Sequence, residues 1–191
     1  MAAQIVFGAG ASGDRLSEEV AALGAAKVFI VCTPGRAMDA ARMAARLGER
    51  SAGVFSDARE HVPVETVSSA QRAVDTSGAD TVLALGGGSA IGLAKALALR
   101  ANVRIIAVPT TYSGSEMTAM YGITEGGEKR TGTDERVRPS LVVYDPERTA
   151  GLPRAVTMTS LWNAMAHAVE ALWVNGSDRA AHVGTASSAR A

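Results

Sequence analysis

The glycine cluster in the middle of the chain has the residue types that hold a phosphate. Gly86-Gly87-Gly88-Ser89 follows an apolar run at residues 81–85 and opens a helical pattern at residues 90–99. Glycines let backbone N–H groups approach a ligand, and a helix start adds unpaired donors and partial positive charge. Ser89 could cap this helix or bind a phosphate oxygen. The cluster therefore predicts a pyrophosphate site, with a plain glycine turn as the alternative.

A second glycine cluster near the start of the chain matches the dinucleotide pattern G-x-G-x-x-G. It reads Gly8-Ala9-Gly10-Ala11-Ser12-Gly13 and follows an apolar run. A nucleotide site of that type needs an acidic residue about 20 residues later, for the ribose hydroxyls. The second apolar run instead ends in Cys32-Thr33-Pro34-Gly35. We therefore interpret this cluster as a tight turn.

Short apolar runs alternate with helical patterns over the first 150 residues. Continuous apolarity in runs of four to six residues predicts buried strands, and spacings of three and four predict helices. The alternation predicts an α/β fold with a doubly wound, mostly parallel sheet, followed by a hairpin at residues 120–128. The predicted strands are residues 4–7, 27–32, 81–85, 104–108 and 141–144, and the predicted helices are residues 14–23, 35–47, 64–76 and 90–99.

The chain divides into three parts by composition. Residues 1–150 form the predicted α/β domain. Residues 151–174 contain a further helical segment, from residue 159 onward. We interpret it as the start of another, helical domain. Residues 175–191 are small and polar, so we expect a disordered tail.

Composition limits the class of partner. Lysine plus arginine equals aspartate plus glutamate, 19 against 19, so nothing in the net charge draws the chain to nucleic acid or to anionic membranes. A single cysteine, Cys32, excludes an intrachain disulfide. The sequence also has neither a signal peptide nor an apolar run long enough to span a bilayer. We expect a soluble, cytoplasmic protein that binds a small molecule.

A third motif suggests a family. Pro109-Thr110-Thr111-Tyr112-Ser113-Gly114-Ser115-Glu116 follows the strand at residues 104–108. Together with the central glycine cluster it resembles the iron-containing alcohol dehydrogenase superfamily, from residue 5 to about residue 173. The segments TTYSGSEMT, YDPE and NAMAHAVEAL are most similar to its maleylacetate reductase branch. The resemblance implies a dehydroquinate synthase-like N-terminal domain, followed by the first helix of an all-helical domain whose remainder this sequence lacks.

The resemblance also implies NAD(P)H as the cofactor. Gly87, Gly88 and Ser89 would bind its pyrophosphate. Thr33 would lie at the adenosine ribose, where an aspartate in many relatives favours NAD, so the sequence leaves NADH and NADPH open. The alternative for the two threonines after Pro109 is turn chemistry alone. The residues expected to line the cofactor cleft are Thr110, Thr111, Tyr112 and Ser115, with Met117 and Thr118 near the nicotinamide.

Asn163 and His167 occupy positions where iron-dependent members carry two metal ligands. The i, i+4 spacing places both side chains on one helix face. Asparagine is a weak ligand that brings no charge to a divalent ion, so we expect no metal. His167 is the candidate proton donor to the alkoxide, or a histidine satisfied within its helix. Asn163 would bond the substrate or stabilise the helix start.

The predicted activity is reduction of maleylacetate to 3-oxoadipate in bacterial aromatic catabolism, with a keto-acid substrate and a homodimeric full-length enzyme. The first alternative is a metal-dependent alcohol dehydrogenase of the same superfamily. The second is a nucleotide-binding fragment without catalysis, and we expect this chain to be inactive alone. An apolar stripe of Leu161, Met165, Val169 and Leu172 is expected to be exposed.

Overall fold

A computed structural model describes residues 3–173, so the predicted tail at residues 175–191 lies outside the described residues. Its main sheet has six strands in the order β1-β8-β5-β4-β2-β3, and every neighbouring pair is parallel. The predicted doubly wound sheet is thereby confirmed. The strands are β1 Gln4–Phe7, β2 Val28–Cys32, β3 Ser51–Phe55, β4 Thr81–Gly86, β5 Arg104–Pro109, β6 Met120–Glu125, β7 Glu128–Thr133 and β8 Leu141–Tyr144.

Helices connect the strands on both faces of the sheet. The helix expected at residues 14–23 is two helices, the first of which begins at Ala11. The helix expected from residue 159 begins five residues earlier, directly after Pro153, because a proline is compatible with a helix start. The helices are α1 Ala11–Asp14, α2 Leu16–Ala22, α3 Ala37–Leu47, α4 Val64–Ser77, α5 Gly88–Arg100, α6 Pro146–Ala150 and α7 Arg154–Trp173.

Two apolar layers enclose the sheet. Successive residues of a strand point to opposite faces, so the central strands contribute to both layers. On one face Val82 and Ala84 of β4 pack with α4 and α5. On the other face Leu83 and Leu85 pack with α2 and α3. Burial on both sides explains why these strands are apolar without alternation.

The carboxyl ends of β2 and β4 lie side by side, with Cys32 in register with Leu85. The chain leaves β2 toward α3 on one face and leaves β4 toward α5 on the other. Connections that diverge to opposite faces open a crevice between the two strand ends, and open α/β sheets bind ligands at such a place. The central glycine cluster is therefore at the switch point of the sheet.

The edge strand β3 was not among the predicted strands. Its sequence, Ser-Ala-Gly-Val-Phe, is low in large apolar residues, and none of the five is fully buried. Gly53 has φ 131°, and a Cβ there would lie 3.0 Å from the Phe29 ring. The strand forms because β2 offers an unpaired edge and Phe29 fills the space above this glycine.

The hairpin of β6 and β7 is confirmed and stands apart from the main sheet. Thr124 fastens it to the segment before α4, since its N–H donates to the Val62 carbonyl at 3.0 Å and its hydroxyl to the His61 carbonyl at 2.7 Å. Lys129 and Arg130 are both exposed, and Arg130 lies 3.6 Å from the Glu125 carboxylate.

The last helix presents an apolar face to solvent. Met165, Val169 and Leu172 are exposed as predicted, Trp162 is 62% exposed, and Leu161 is only half-buried. Within residues 3–173, no helix combines the length and apolarity that a bilayer span requires.

The first glycine cluster binds a carboxylate of the protein itself. Asp145, 3% exposed, accepts hydrogen bonds from the Gly10 N–H at 3.0 Å, the Ser12 N–H at 3.1 Å and the Ser12 hydroxyl at 2.6 Å. It also accepts from the Glu147 N–H at 3.1 Å, at the start of α6. Burial opposes its ionisation, but these hydrogen bonds outweigh burial and hold the Asp145 pKa below its usual value. The interpretation of this cluster as a structural turn is supported, because its donors already hold an anion.

We predict that Asp145→Asn lowers the free energy of unfolding by roughly 3 kcal/mol at pH 7, because an amide cannot accept from all these donors. The measurement is urea unfolding followed by circular dichroism. Asp57→Asn is the matched control, because Asp57 pairs with Arg59 on the surface and should cost under about 1 kcal/mol.

The difference between wild type and Asp145→Asn should shrink in acid. A carboxyl whose folded pKa is lowered contributes stability above its unfolded pKa and loses it as the pH falls through the folded pKa. A difference that does not change below pH 4 would contradict the assigned charge.

Candidate nucleotide-binding site

At the crevice, the chain after β4 and the chain after β5 approach each other closely. A Cβ at Gly87 would lie 2.6 Å from Thr111 Oγ1 and 2.8 Å from its Cγ2. Gly86 has φ 152°, and a Cβ there would lie 2.9 Å from the Ala90 Cβ. Only glycine fits either position, so the close approach of the Thr111 side chain and of the Ala90 Cβ requires these two residues, whatever they bind.

The start of α5 supplies free donors at this crevice. The helix begins at Gly88 with Gly87 as its N-cap, and no side chain caps it. The first amides of a helix lack intrahelical partners and carry the positive end of its dipole. Gly88 is exposed, so this end is open to a ligand.

The expectation that Ser89 caps α5 is wrong. The helix begins two residues earlier than the predicted Ala90, and Ser89 is its second residue. Gly88 is the first residue of the helix, because the tertiary packing of α5 outweighs the low helix propensity of glycine. That Ser89 binds a phosphate oxygen stays a prediction.

The loop after β5 forms the second side of the crevice. Thr110 is buried, and its N–H donates to the Gly86 carbonyl at 3.1 Å. Thr111 covers Gly87. The Tyr112 N–H donates to the Ser160 hydroxyl at 2.7 Å, which ties α7 to this loop.

Ser113 is a candidate that the sequence prediction omitted. Its hydroxyl oxygen is buried and has no hydrogen-bond partner among the described residues. Its Cβ lies 4.0 Å from the position that a Gly88 Cβ would occupy. A buried hydroxyl without a partner beside an open helix start suits a ligand oxygen. The sequence signal was present, since Ser113 belongs to the same hydroxyl-rich motif.

Lys95 on α5 is the second omitted residue. It is fully buried, and its Nζ donates to the carbonyls of Ser115 at 2.7 Å, Thr118 at 2.8 Å and Met120 at 2.7 Å. The Thr118 hydroxyl lies 3.1 Å away. The signal in the sequence was one lysine inside an otherwise apolar helix, at a position that should face the core.

Buried charges of both signs surround this lysine. Burial lowers the pKa of Lys95 to about 8, with nearby Glu116 opposing the shift and Arg138 adding to it. Glu116 is 2% exposed and accepts from the Tyr144 hydroxyl at 2.9 Å. Burial raises the pKa of Glu116, although the hydrogen bonds and Lys95 favour its ionised form. Burial thus disfavours the charged forms of both Lys95 and Glu116, and each partly offsets this effect on the other.

Ser115, Met117 and Thr118, the other predicted cleft residues, lie on the same loop, and their carbonyls bind side chains of the protein. Ser115 and Thr118 direct their carbonyls at Lys95, and the Thr118 hydroxyl donates to the Ser115 carbonyl at 3.2 Å. The Met117 carbonyl accepts from Arg138 at 2.9 Å. That Ser115, Met117 and Thr118 border a cofactor stays a prediction.

Thr33 lies at the opposite side of the crevice, after β2. It is extended and precedes a 3-10 turn at Pro34–Arg36. The guanidinium of Arg36 lies 3.3 Å from the Asp39 carboxylate, which Arg42 and Arg148 also approach at 3.6 Å. Cys32 before it is buried, and burial raises the pKa of its thiol to about 11.

The structure brings Asn163 to the loop but gives His167 another neighbour. The Asn163 amide lies 3.5 Å from the Ser113 carbonyl. The Nδ1 of His167 lies 3.5 Å from the Glu170 carboxylate, three residues along α7. Within residues 3–173, no three His, Cys, Asp or Glu side chains come together as a metal site requires. The roles of Asn163 and His167 stay predictions.

Comparison with known proteins agrees with this architecture. Residues 2–146 match the family model of the iron-containing alcohol dehydrogenases. The maleylacetate reductase of Burkholderia cepacia is 47% identical over 172 residues, which are 90% of this chain and 49% of that protein. The crystal structure of maleylacetate reductase from Agrobacterium tumefaciens is 49% identical, with a TM-score of 0.88, over 91% of this chain and 49% of that one.

A more distant structure shares only the fold. Sulfoacetaldehyde reductase from Bifidobacterium kashiwanohense, solved in complex with NAD+, is 24% identical with a TM-score of 0.83 over 90% of this chain and 52% of that one. The chain thus spans about half the length of the relatives it matches.

The fold and the crevice define a doubly wound α/β domain with a glycine-lined helix start at its switch point. The family match extends over most of the sequence. The chain belongs to the iron-containing alcohol dehydrogenase family.

The lowered pKa of Lys95 predicts a rise of stability with pH. Between about 8 and the ordinary value of 10.5, the unfolded chain keeps the proton that the folded chain has released, so the free energy of unfolding increases. We expect a rise of up to about 3 kcal/mol. Urea unfolding at pH 7.5 and pH 10 should show it in wild type and in the control Lys27→Met, whose lysine is exposed. An equal rise in Lys95→Met would contradict this assignment.

Proposed function

We propose that this chain supplies the nucleotide-binding half of an NAD(P)H-dependent reductase of the maleylacetate reductase type, acting on a keto-acid. The observation that carries the proposal is the open start of α5 at the switch point, where Gly86 and Gly87 leave no room for a Cβ. Maleylacetate reductases at 45–50% identity support the substrate class. The distant neighbour of the same fold solved with NAD+ supports the cofactor class.

The residues of the crevice suit a dinucleotide. The amides of Gly88 and Ser89 would hold the pyrophosphate, where the helix dipole favours negative charge. The unpartnered Ser113 hydroxyl would donate to an oxygen of the same group. Thr33 offers a hydroxyl where relatives that prefer NAD carry a carboxylate, so the chain does not repel a 2′-phosphate there.

NAD(P)H, when bound, would supply the hydride that reduces the ketone. The chain's own residues would bind the substrate and supply a proton to its ketone oxygen. His167 would donate to the oxygen as negative charge develops on it, and Asn163 would orient the substrate from the same face of α7. The hydrogen bond from the Tyr112 N–H to the Ser160 hydroxyl holds α7, which carries both residues, beside the loop after β5.

The side chains at the family's metal position do not fit an iron site. Asn163 directs its amide nitrogen, a donor, toward the Ser113 carbonyl, and contributes no charge. His167 is the one imidazole on the described part of α7. We therefore propose reduction without a metal, with the metal-dependent alcohol dehydrogenase as the alternative.

A second candidate function is nucleotide binding without turnover by this chain alone. It is favoured by the exposed apolar face of α7 and by the length of the relatives, which is about twice that of the matched segment. A crevice that is open to solvent admits water, which weakens the stabilisation of charge in a transition state. The homodimer and the cytoplasmic location expected from the sequence stay predictions.

We predict that Gly87→Ala weakens NADH binding about tenfold or more, which corresponds to at least 1.4 kcal/mol. The new Cβ would displace Thr111 and the loop beside it. NADH fluorescence titration at fixed salt measures the change. Gly151→Ala is the control, because a Cβ there has no atom within 4 Å, and its affinity should equal wild type. Equal affinity of the Gly87 variant would overturn the proposed site.

We further predict that the 191-residue chain binds NADH without oxidising it in the presence of maleylacetate. The absorbance of NADH at 340 nm measures turnover. EDTA should leave NADH binding unchanged, and added Fe²⁺ should not create activity. Appreciable oxidation by the chain alone would exclude the non-catalytic candidate. Oxidation that requires Fe²⁺ and stops with EDTA would favour the metal-dependent one.

A further inference from the structure

Lys95 is buried beneath the crevice and has no part in the proposed reaction. We propose that its ammonium group is a positioning residue that holds the segment from Thr110 to Ala119 in the shape that nucleotide binding requires. This inference rests on the proposed function, since it assigns the determinant of affinity at the same site.

The geometry makes Lys95 the anchor at the far end of this loop. Its Nζ lies within 2.8 Å of three carbonyl oxygens, those of Ser115, Thr118 and Met120. An ammonium has three N–H donors, so each carbonyl can receive one. The three carbonyls come from six consecutive residues, so the lysine fixes the curvature of the chain there.

Other hydrogen bonds hold the loop at its beginning, within its 3-10 turn and at its end. The Thr110 N–H binds the Gly86 carbonyl, and the Tyr112 N–H binds Ser160. Inside the turn, the Met117 N–H binds the Gly114 carbonyl at 3.1 Å. From outside the loop, Arg138 donates to the Met117 carbonyl and the Asp134 N–H donates to the Ala119 carbonyl at 2.9 Å, but each of them binds one carbonyl where Lys95 binds three. Thr111 and Ser113, which face the glycines, lie between these two anchors.

Four charged or titratable groups surround this interaction. Glu116 and Arg138 act on Lys95 directly, with opposite signs. Tyr144 bonds Glu116, and Glu135 bonds Arg138 at 2.9 Å. Burial has the largest effect on the pKa of Lys95, which, with the opposing influences of Glu116 and Arg138, is about 8. The lysine therefore changes charge within the range in which nucleotide binding can be measured.

Loss of the proton weakens the anchor. A neutral amine has two N–H groups and a lone pair, so one of the three carbonyls loses its donor. The anionic nucleotide also favours the charged form of the lysine beneath it. Nucleotide affinity should therefore fall as the pH rises through about 8, whereas the stability of the empty fold rises over the same range.

The test compares wild type, Lys95→Met and the control Lys27→Met. NADH is titrated from pH 6.5 to 9.5, and amide hydrogen exchange is followed without nucleotide. We expect wild type and Lys27→Met to lose about tenfold in affinity across pH 8. Lys95→Met should bind about tenfold more weakly at pH 7 with no inflection, and the peptides of residues 110–120 should exchange faster while those of β4 do not change.

A thialysine variant keeps the inference testable if Lys95→Met does not fold. Lys95→Cys is made in a Cys32→Ala background, because the free thiol of Cys32 would also react in the unfolded chain. Alkylation with bromoethylamine while unfolded, followed by refolding, then restores a side chain of similar length at position 95 alone, and Cys32→Ala without the second change is its reference. The thialysine amine is less basic, so the inflection should recover and move to lower pH. A merely structural side chain would not shift the pH profile.

The outcomes separate this inference from the function beneath it. Wild-type affinity in Lys95→Met, unchanged exchange of the loop, or an inflection that thialysine does not move would overturn the positioning role. Failure of wild type to bind NADH would overturn the proposed function, while the exchange measurement still decides whether Lys95 orders the loop.

Discussion

The contact between the chain after β4 and the chain after β5 is the constraint on which the site depends. Gly87 and Thr111 come so close that the smallest side-chain carbon would not fit between them. Around this contact, the Gly86 carbonyl binds Thr110 from one side, and Lys95 binds the end of the same loop from below. The open helix start and the hydroxyl-rich loop face one crevice because these contacts hold their two backbones together.

The two glycine clusters show how the same local pattern serves two purposes. In the first, the N–H groups of Gly10 and Ser12 bind Asp145, so the negative charge comes from the protein itself. In the second, α5 starts without a side-chain cap, and its first turn is open at Gly88. A loop whose donors bind a carboxylate of the protein holds two strand ends together, whereas a loop with free donors can bind an external anion.

The last helix belongs to the site as much as to the apolar face that it leaves uncovered. Ser160 binds the loop backbone, and Asn163 lies beside Ser113. Farther along the helix, Met165 and Val169 are exposed. One helix therefore both borders the crevice and exposes apolar side chains to solvent.

The sequence by itself determined the parallel α/β fold and the position of the central glycine cluster between a strand and a helix. Apolar runs such as residues 81–85 predict buried strands, and the helical pattern that follows places the glycine cluster at the turn from strand to helix. It did not determine the edge strand β3, which forms by pairing with β2. Nor did it determine where α5 starts, because tertiary packing there outweighs the low helix propensity of glycine.

The hydrogen-bond partners of the buried charged groups are decided only by the tertiary structure. Asp145 lies 135 residues from Gly10, and Lys95 lies 20 to 25 residues from the carbonyls that it binds. Spacing along the chain cannot reveal such partners, because they meet only when parallel strands bring distant loops to the same edge of the sheet. The physical reason is that a buried charge without a partner is costly, and the fold supplies Asp145 and Lys95 with partners from distant parts of the sequence.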